Sequence, residues 1–337
     1  MKAVVVYSPH HFAVVDRPMP QPPAGWARVR LAAAAFCATD LEVLSGGIPA
    51  RYPITPGHEW CGVVDSVNGA DPDWIGKRVS GSNDVCCLTC RACRSGLWRN
   101  CKQFGEIGFA HDGAYAEYML VPEYALRRLP DHVTDEQAAL LEPLGVAIGT
   151  LDKAQAAMGD SLLILGAGSI GLNMLLVARA AGLRDITVVE RSGGRLPTAL
   201  ALGADHALAS SQCDLRAELA RIYPGGPDII VDCTGAEECV ALALSIAPKS
   251  GRVALAGYGG GRTMAIRIDD IHIKNLRVVG AGNNWDVIDR AIDLVAGGLV
   301  DPSPLVSVRA RLDDFEGVAR QAAERAPGFV KAIFEMG

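Results

Sequence analysis

Ser161-Leu-Leu-Ile-Leu-Gly166-Ala-Gly168-Ser-Ile-Gly171-Leu-Asn-Met-Leu-Leu-Val-Ala-Arg-Ala180 decides how this chain is read. Four apolar residues after Ser161 form a short buried-strand pattern. A glycine-rich turn follows, and then a long apolar helix pattern. A lone Gly-x-Gly-x-x-Gly is weak, but between a strand and a helix it is a dinucleotide-binding fingerprint. Its glycines allow a tight turn and close approach of a pyrophosphate. The helix then presents free N–H groups and its positive dipole end to the negative charge. Gly166, Gly168, Ser169, Ile170 and Gly171 are the expected contacts. A glycine-rich turn without a ligand is the bland alternative, and the strand–turn–helix context argues against it.

Strands and helices alternate onward from this stretch. Ile186–Glu190 (ITVVE) reads as a strand, followed by two helix-like stretches, then DIIVDCTG (228–235), a further helix, GRVALAGYG (251–259) and LRVVGAG (276–282). Such alternation indicates βαβ units around a parallel sheet. Glu190 ends the second strand, where a carboxylate can accept hydrogen bonds from ribose hydroxyls and would repel a 2′-phosphate, so NAD is expected over NADP. Arg191 and Arg195 work against that preference, because either could neutralise a phosphate. Asp232, Thr234 and Gly257 lie at later strand ends, and Thr234 and Gly257 are expected to line the nicotinamide half, since ligands of such sheets bind at the carboxyl ends of strands.

The part before residue 146 has a different texture. KAVVVY (2–7), WARVRLAAAA (26–35), GVVDSV (62–67), KRVSGS (77–82) and YAEYMLV (115–121) are short β segments broken by Gly and Pro. They suggest a barrel-like or sandwich-like β domain. IDRAIDLVAGG (288–298) is helical, and LVSVRARLDDF (305–315) and KAIFEM (331–336) read as strands returning to the first domain. The expected division is therefore 1–145 with 287–337 as one domain and 146–286 as the other.

Bulk properties narrow the class. A chain of 337 residues suits two domains. Half of it is hydrophobic, with a formal charge of −6. No basic stripe marks a nucleic-acid binder. No run approaches the roughly 18 apolar residues of a membrane span. The amino terminus has only a five-residue apolar run after Lys2, short of a signal peptide, so a cytoplasmic protein is expected.

Ten cysteines are present, and five of them (86, 87, 90, 93 and 101) fall within sixteen positions. Without a secretory signal, tight clustering favours metal ligation over disulfides. Cys87, Cys90, Cys93 and Cys101 can wrap one zinc as four thiolates from a single loop (84–102), a closed structural site. Cys86 adjoins Cys87, and the equal two-residue gaps put Cys87 rather than Cys86 in the set. Cys61, Cys213, Cys233 and Cys239 read as packed thiols, and His10, His11, His132, His206 and His272 as solvated or packed histidines.

Taken together, Cys37-Ala-Thr-Asp40, Gly57-His58-Glu59, the four-cysteine lobe, Glu142-Pro-Leu144 and Gly166-Ala-Gly-Ser-Ile-Gly171 resemble the zinc-containing medium-chain dehydrogenase/reductase family, over essentially the whole chain. The resemblance implies a GroES-like β-barrel catalytic domain plus a Rossmann doubly wound parallel-sheet NAD-binding domain. It implies two zinc ions per subunit, one structural in the lobe and one catalytic. For the catalytic ion it implies Cys37 and His58 as ligands, with Glu59 or Glu142 as the third; Glu142 is slightly favoured. Seen alone, His58 and Cys37 would more often be core residues. A catalytic zinc keeps an open position and lowers the pKa of an alcohol there. Thr39 matches the family's relay hydroxyl, and Asp40 its supporting carboxylate. Ala38 departs from the usual Gly.

The implied activity is NAD(P)-linked oxidation of a secondary alcohol on a polyol, sugar or aminocyclitol, with 2-deoxy-scyllo-inosamine dehydrogenases as a narrower branch. An L-threonine-type amino alcohol is the nearest rival. A zinc-lacking reductase and a non-enzymatic NAD-binding scaffold are the other classes. A small-molecule alcohol or ketone is the partner, and a homodimer or homotetramer is the assembly the family implies. His111 and Trp60 are candidates for bordering the substrate. Lys331 matches a family lysine without a derivable role.

Overall fold

The computed structural model describes residues 1–69, 71–282 and 286–336. The chain forms two compact units, Met1–Glu142 with Val306–Gly337, and Pro143–Leu305.

The first unit is built on the eleven-residue strand Trp26–Phe36. Its small side chains (Ala27, Ala33, Ala34 and Ala35) are buried and let neighbours approach closely. Glu59–Asn68, Tyr118–Pro122 and Lys331–Glu335 each pair with it antiparallel along different lengths. Val306–Ala310, Arg78–Gly81 and Leu126–Arg128 complete a seven-stranded sheet. The carboxyl-terminal strand therefore returns to the amino-terminal sheet, with Ala332 opposite Phe36. The strand in LVSVRARLDDF stops at Ala310, and Phe315 opens the helix Phe315–Ala323 instead. Burying Phe315 explains the change. It packs against Tyr115 at 5.0 Å, Phe334 at 5.6 Å and Phe36 at 5.8 Å between ring centroids, making the aromatic centre of the core. A hairpin, Lys2–Ser8 with His11–Asp16, lies outside the main sheet.

In the second unit Ser161–Leu165 is wholly buried, as expected for a strand covered on both faces. It pairs parallel with Arg184–Glu190 on one side and Ile229–Asp232 on the other. His206–Ala209 lies beyond the first, and Arg252–Leu255 and Arg277–Gly280 beyond the second. In chain order the six parallel strands run 3-2-1-4-5-6, the Rossmann doubly wound order, with the switch point beside Ser161–Leu165. Parallel neighbours need crossovers, and the helices Ser169–Ala180, Leu215–Ile222, Glu237–Ile246 and Ile268–Lys274 lie in those connections.

Helix Val287–Ala296 belongs to this second unit rather than to the first, so the division falls at 305 instead of 286. Its face of Val287, Ile288, Ala291, Ile292 and Val295 is buried. Val287 comes so close to Gly145 that a Cβ there would meet it at 2.9 Å.

Candidate active site

The cysteine loop closes on itself. The Sγ atoms of Cys87, Cys90, Cys93 and Cys101 all lie within 4.8 Å of one another. Cys90–Cys93, Cys87–Cys101 and Cys87–Cys93 stand 3.5, 3.6 and 3.9 Å apart. Four thiolates about 2.3 Å from a tetrahedral zinc would sit about 3.8 Å apart. The cage therefore fits zinc in both donor chemistry and size. Backbone N–H groups of Cys90, Cys93, Cys87 and Gln103 point at the sulfurs of Cys87, Cys90 and Cys101 over 3.3–3.5 Å, as anionic thiolates require. The Thr89 hydroxyl and nearby backbone N–H groups pull the Cys87 thiol down to about 6. Burial pushes its neighbour Cys86 up to about 12. Cys86 packs buried beside Cys93 and Cys101 but is outside the four-sulfur group, with its Sγ 3.5 Å from the Trp98 carbonyl and its backbone tied to the Tyr124 hydroxyl.

A second group of possible ligand atoms, again within 4.8 Å, is Cys37, His58 and Glu59. Cys37 ends the central strand and caps the helix Ala38–Ser45. Ala38 is the first helical residue and has no left-handed backbone angle, so the expected glycine is not needed here. Gly57, by contrast, has φ +101°, and a Cβ there would stand 3.0 Å from the Tyr115 nitrogen. This turn delivers His58 to the head of strand Glu59–Asn68. Asn83 fixes His58 from behind. Its amide donates to the His58 carbonyl at 2.6 Å and accepts from the Trp60 indole at 2.9 Å. Trp60 is thus a buried buttress.

Asp40 organises the group. One carboxylate oxygen accepts the Cys37 N–H at 3.0 Å and the Tyr115 hydroxyl. The other faces His58 Nδ1 at 3.5 Å, and both of those buried atoms lack another hydrogen-bond partner. Nδ1 directed at a carboxylate would leave Nε2 available to a metal, the usual support of a metal-bound imidazole. Burial opposes protonation of His58, but Cys37 and Asp40 outweigh it and raise its pKa well above the ordinary value. The same anionic surroundings suit a cation. The Thr39 hydroxyl lies 3.5 Å from Cys37 Sγ, and the Phe109 ring lies 5.2 Å from the His58 ring.

Glu59 is already occupied. Lys331, itself buried, donates to its two oxygens at 2.7 and 2.8 Å and to the Phe36 carbonyl at 3.1 Å. The signal for this was a lysine in the apolar run Phe329-Val-Lys331-Ala-Ile-Phe334. Glu142 is not within the Cys37–His58–Glu59 group. It is the second residue of helix Leu141–Lys153, and its charge contributes to holding the Lys331 proton. His111 packs against Trp26 at 5.7 Å and lines a cavity of about 350 Å³ with Arg17, Thr55 and Asp112, which contains none of the three ligand candidates. Cys213 is exposed rather than packed, because it precedes the solvent-facing helix cap Asp214.

The second unit gathers the expected nucleotide residues at the carboxyl ends of its strands. Gly166 has φ +108°, and a Cβ on Gly171 would meet the Gly166 carbonyl at 1.9 Å. Nothing lies within 4 Å of a Cβ on Gly168, so the turn is a tight loop with one open side, which fits a pyrophosphate. Ser169 and Ile170 begin the helix there, with Gly168 as its cap. Asp232, named beforehand only as a strand end, pins the neighbouring loops. It accepts from the Thr234 N–H and hydroxyl at 3.0 and 2.5 Å and from the Gly235 N–H at 3.0 Å, while its carbonyl takes the Gly257 N–H at 2.8 Å. Glu190 ends its strand with one oxygen on the Arg195 N–H at 3.0 Å; Arg191 beside it is exposed.

Residues 23–131 match the alcohol dehydrogenase GroES-like domain, and residues 169–297 the zinc-binding dehydrogenase domain. L-threonine 3-dehydrogenase of Chelativorans sp. (strain BNC1) is 30% identical over 97% of each chain. Two solved structures superpose with a TM-score of 0.94. One is a putative zinc-binding dehydrogenase from Sinorhizobium meliloti 1021 bound to NADP, 31% identical over 99% of this chain and 98% of that one. The other is a short chain alcohol dehydrogenase (rspB) from E. coli CFT073 complexed with NADH, 27% identical over 99% of both chains.

Proposed function

This chain belongs to the zinc-containing medium-chain dehydrogenase/reductase family, and from that premise we propose that it oxidises a secondary alcohol of a polyol, sugar or aminocyclitol to the ketone, reversibly, with a nicotinamide dinucleotide. The observation that carries the reading is the Cys37–His58–Glu59 group with His58 backed by Asp40. Cys37, His58 and Glu142 would hold the catalytic zinc, and Cys87, Cys90, Cys93 and Cys101 the structural one. A zinc there supplies Lewis acidity toward the alcohol oxygen, and the nicotinamide accepts the hydride.

The chain's own residues do the rest. Asp40 holds His58 in one orientation and fixes the Cys37 turn. Thr39 is the first hydroxyl able to take the departing alcohol proton, being 3.5 Å from Cys37 Sγ. Phe109 provides an apolar wall beside His58. Lys331 engages both oxygens of Glu59, which favours Glu142 as the persistent third ligand. A carboxylate in that place makes an oxygen-rich site, and this supports polyol-like substrates, the aminocyclitol branch among them. Glu190 favours NAD, with Gly166, Gly168, Ser169, Ile170, Gly171, Thr234 and Gly257 around the dinucleotide.

A threonine-type amino alcohol is the second reading, supported by the 30% identical relative. A panel of polyols, cyclitols, aminocyclitols, sugars, threonine and simple alcohols, run on zinc-replete protein with NAD and NADP, separates the two. Turnover confined to threonine would replace the first reading with the second. Replacing Cys37 or His58 by Ala should abolish turnover while NADH binding persists; survival of turnover in both variants overturns the catalytic assignment. Among the described residues no helix is long and apolar enough to cross a membrane. Among the described residues Arg277–Gly280 is one of the two outer strands of its sheet, and its outer edge is where a homodimer or homotetramer would continue.

A further inference from the structure

We infer that the first unit carries a second small-molecule site, separate from the Cys37–His58–Glu59 group, and that it takes a flat, single-ring aromatic carboxylate. The site is the cavity of about 350 Å³ between the proline-rich segment 18–23 and the loop 111–113. That is the small end of the roughly 300–1,000 Å³ of ligand pockets, a volume suited to one ring and its substituent. Cys37, His58 and Glu59 do not line it. The Gly113 N–H on the Thr55 carbonyl at 2.7 Å and the Ala114 N–H on the Gly57 carbonyl at 2.9 Å tie its floor into one seam.

The polar end of the cavity has donors to spare. Arg17 follows the strand His11–Asp16. Its Nη1 donates to Thr55 Oγ1 and to Asp112 Oδ2, both at 3.0 Å. Asp112 Oδ1 accepts the Thr55 N–H at 2.8 Å. This triangle fixes the guanidinium through one of its three nitrogens. Its Nε and Nη2 have no acceptor among the described residues. A carboxylate is the acceptor whose two oxygens match such an edge. Arg17, together with Arg51, whose charge reaches His111, outnumbers Asp112 and leaves a formal balance of +1 for an anion.

The walls are flat and held in place. Trp26 faces the His111 ring, with centroids 5.7 Å apart. Tyr118, Pro18, Pro20 and Pro23 supply further flat faces. The proline segment is fastened by three carbonyls. Pro20 accepts from Arg28 at 3.1 Å, Pro22 from the Asn68 amide at 2.9 Å and Pro23 from the Trp26 N–H at 3.0 Å. Rings already fixed lose little freedom when a planar ligand stacks on them. The His111 imidazole makes no hydrogen bond among the described residues. Burial and then Arg51 lower its pKa against the pull of Asp112, so it adds a neutral ring with a polar edge.

The test is calorimetric titration of zinc-replete protein with benzoate, benzamide and cyclohexanecarboxylate. Benzamide keeps the ring and drops the charge, and cyclohexanecarboxylate does the reverse. Benzoate should bind with a Kd of about 1 mM or tighter, and each of the other two at least about tenfold more weakly. Arg17→Gln should weaken benzoate at least about tenfold, and Trp26→Leu about three- to tenfold, both at wild-type zinc content. A carboxylate can also ligate zinc, so Cys37→Ala is the control, and benzoate affinity should be unchanged in it. Loss of binding in Cys37→Ala with retention in Arg17→Gln puts the ligand on the metal and overturns the site. The comparison of the three probes on wild type needs no variant to fold. No benzoate binding up to about 10 mM, or equal affinity for all three probes, overturns the inference as well.

Discussion

Replacing Lys331 by Met tests whether Glu59 is held by charge. Lys331 is 1% exposed and Glu59 is fully buried. All three ammonium protons are used, two on Glu59 and one on the Phe36 carbonyl. Burial alone would make Lys331 shed its proton, but Glu59 and then Cys37 outweigh burial and raise its pKa. Methionine keeps most of the apolar stem, so little cavity arises and the change is mainly electrostatic. It strands a buried carboxylate. Breaking a buried pair from one side costs about 3–5 kcal/mol, whereas replacing both partners is often near neutral. Lys331→Met should therefore lose about that much, and Lys331→Met combined with Glu59→Gln should recover most of it. Urea denaturation followed by tryptophan fluorescence reads the effect, because Trp26, Trp60, Trp74 and Trp98, four of the five tryptophans, belong to the first unit. Turnover is measured alongside, since a freed Glu59 lies within reach of Cys37 and His58 and could compete for the metal. A single variant that loses less than about 1 kcal/mol with unchanged turnover refutes the argument. So does a double variant no more stable than the single one.

Cys93→Ser should remove one zinc per chain by metal analysis and lower the unfolding midpoint, because a structural zinc site contributes folding energy; unchanged zinc content would count against the lobe. Gly171→Ala would bring a Cβ to 1.9 Å from the Gly166 carbonyl and force the loop open. NADH binding should weaken by at least about tenfold at constant zinc content, and wild-type affinity would show that the loop does not hold the dinucleotide. Asp228 accepts the Ser161 N–H and hydroxyl at 2.8 and 2.7 Å. Burial pushes its pKa up, but these hydrogen bonds and then Arg252 and Arg184 prevail and lower it. A depressed folded-state pKa gives stability that is present above the unfolded carboxylate value of about 3.9 and lost as pH falls through the folded value. Asp228→Asn should cost about 1 kcal/mol or less at neutral pH, given the site's exposure, with the gap to wild type closing in acid. A gap that is constant with pH would contradict the sign.

What the amino-acid order made legible was what a short segment can specify by itself. Cys87 to Cys101 is one loop, so its ligand spacing is its geometry. Ser161–Ala180 is one strand, one turn and one helix, and its glycines have steric reasons that need few distant residues. The readings that failed or stayed open depend on long-range contacts. Lys331 and Glu59 are 272 positions apart, and only the returning strand brings them together. Asp40 shares its carboxylate with Tyr115, 75 positions away. His206–Ala209 is a half-buried edge strand of four residues, too short and too mixed to show a period. The helix Val287–Ala296 has a clear apolar face, but no local feature says which unit that face packs against.

The distant pairings also bear on the electrostatics of the proposed metal site. Cys37, Glu59 and Glu142 could bring three negative charges toward one divalent ion, and Asp40 adds a fourth behind His58. A group that anionic would bind a cation tightly but lessen its pull on an alcohol oxygen. Lys331 cancels Glu59, while Asp40 keeps its charge one layer back, held by the Cys37 N–H and the Tyr115 hydroxyl behind His58. Among the candidate ligands two uncancelled charges then remain toward the ion, those of Cys37 and Glu142, with Asp40 a third farther off. On this reading a lysine far along the chain keeps the zinc electrophilic, although it touches neither the metal nor the substrate. The Lys331→Met variant should accordingly lose kcat more than it loses NADH affinity. An equal loss of both would reduce Lys331 to a packing residue.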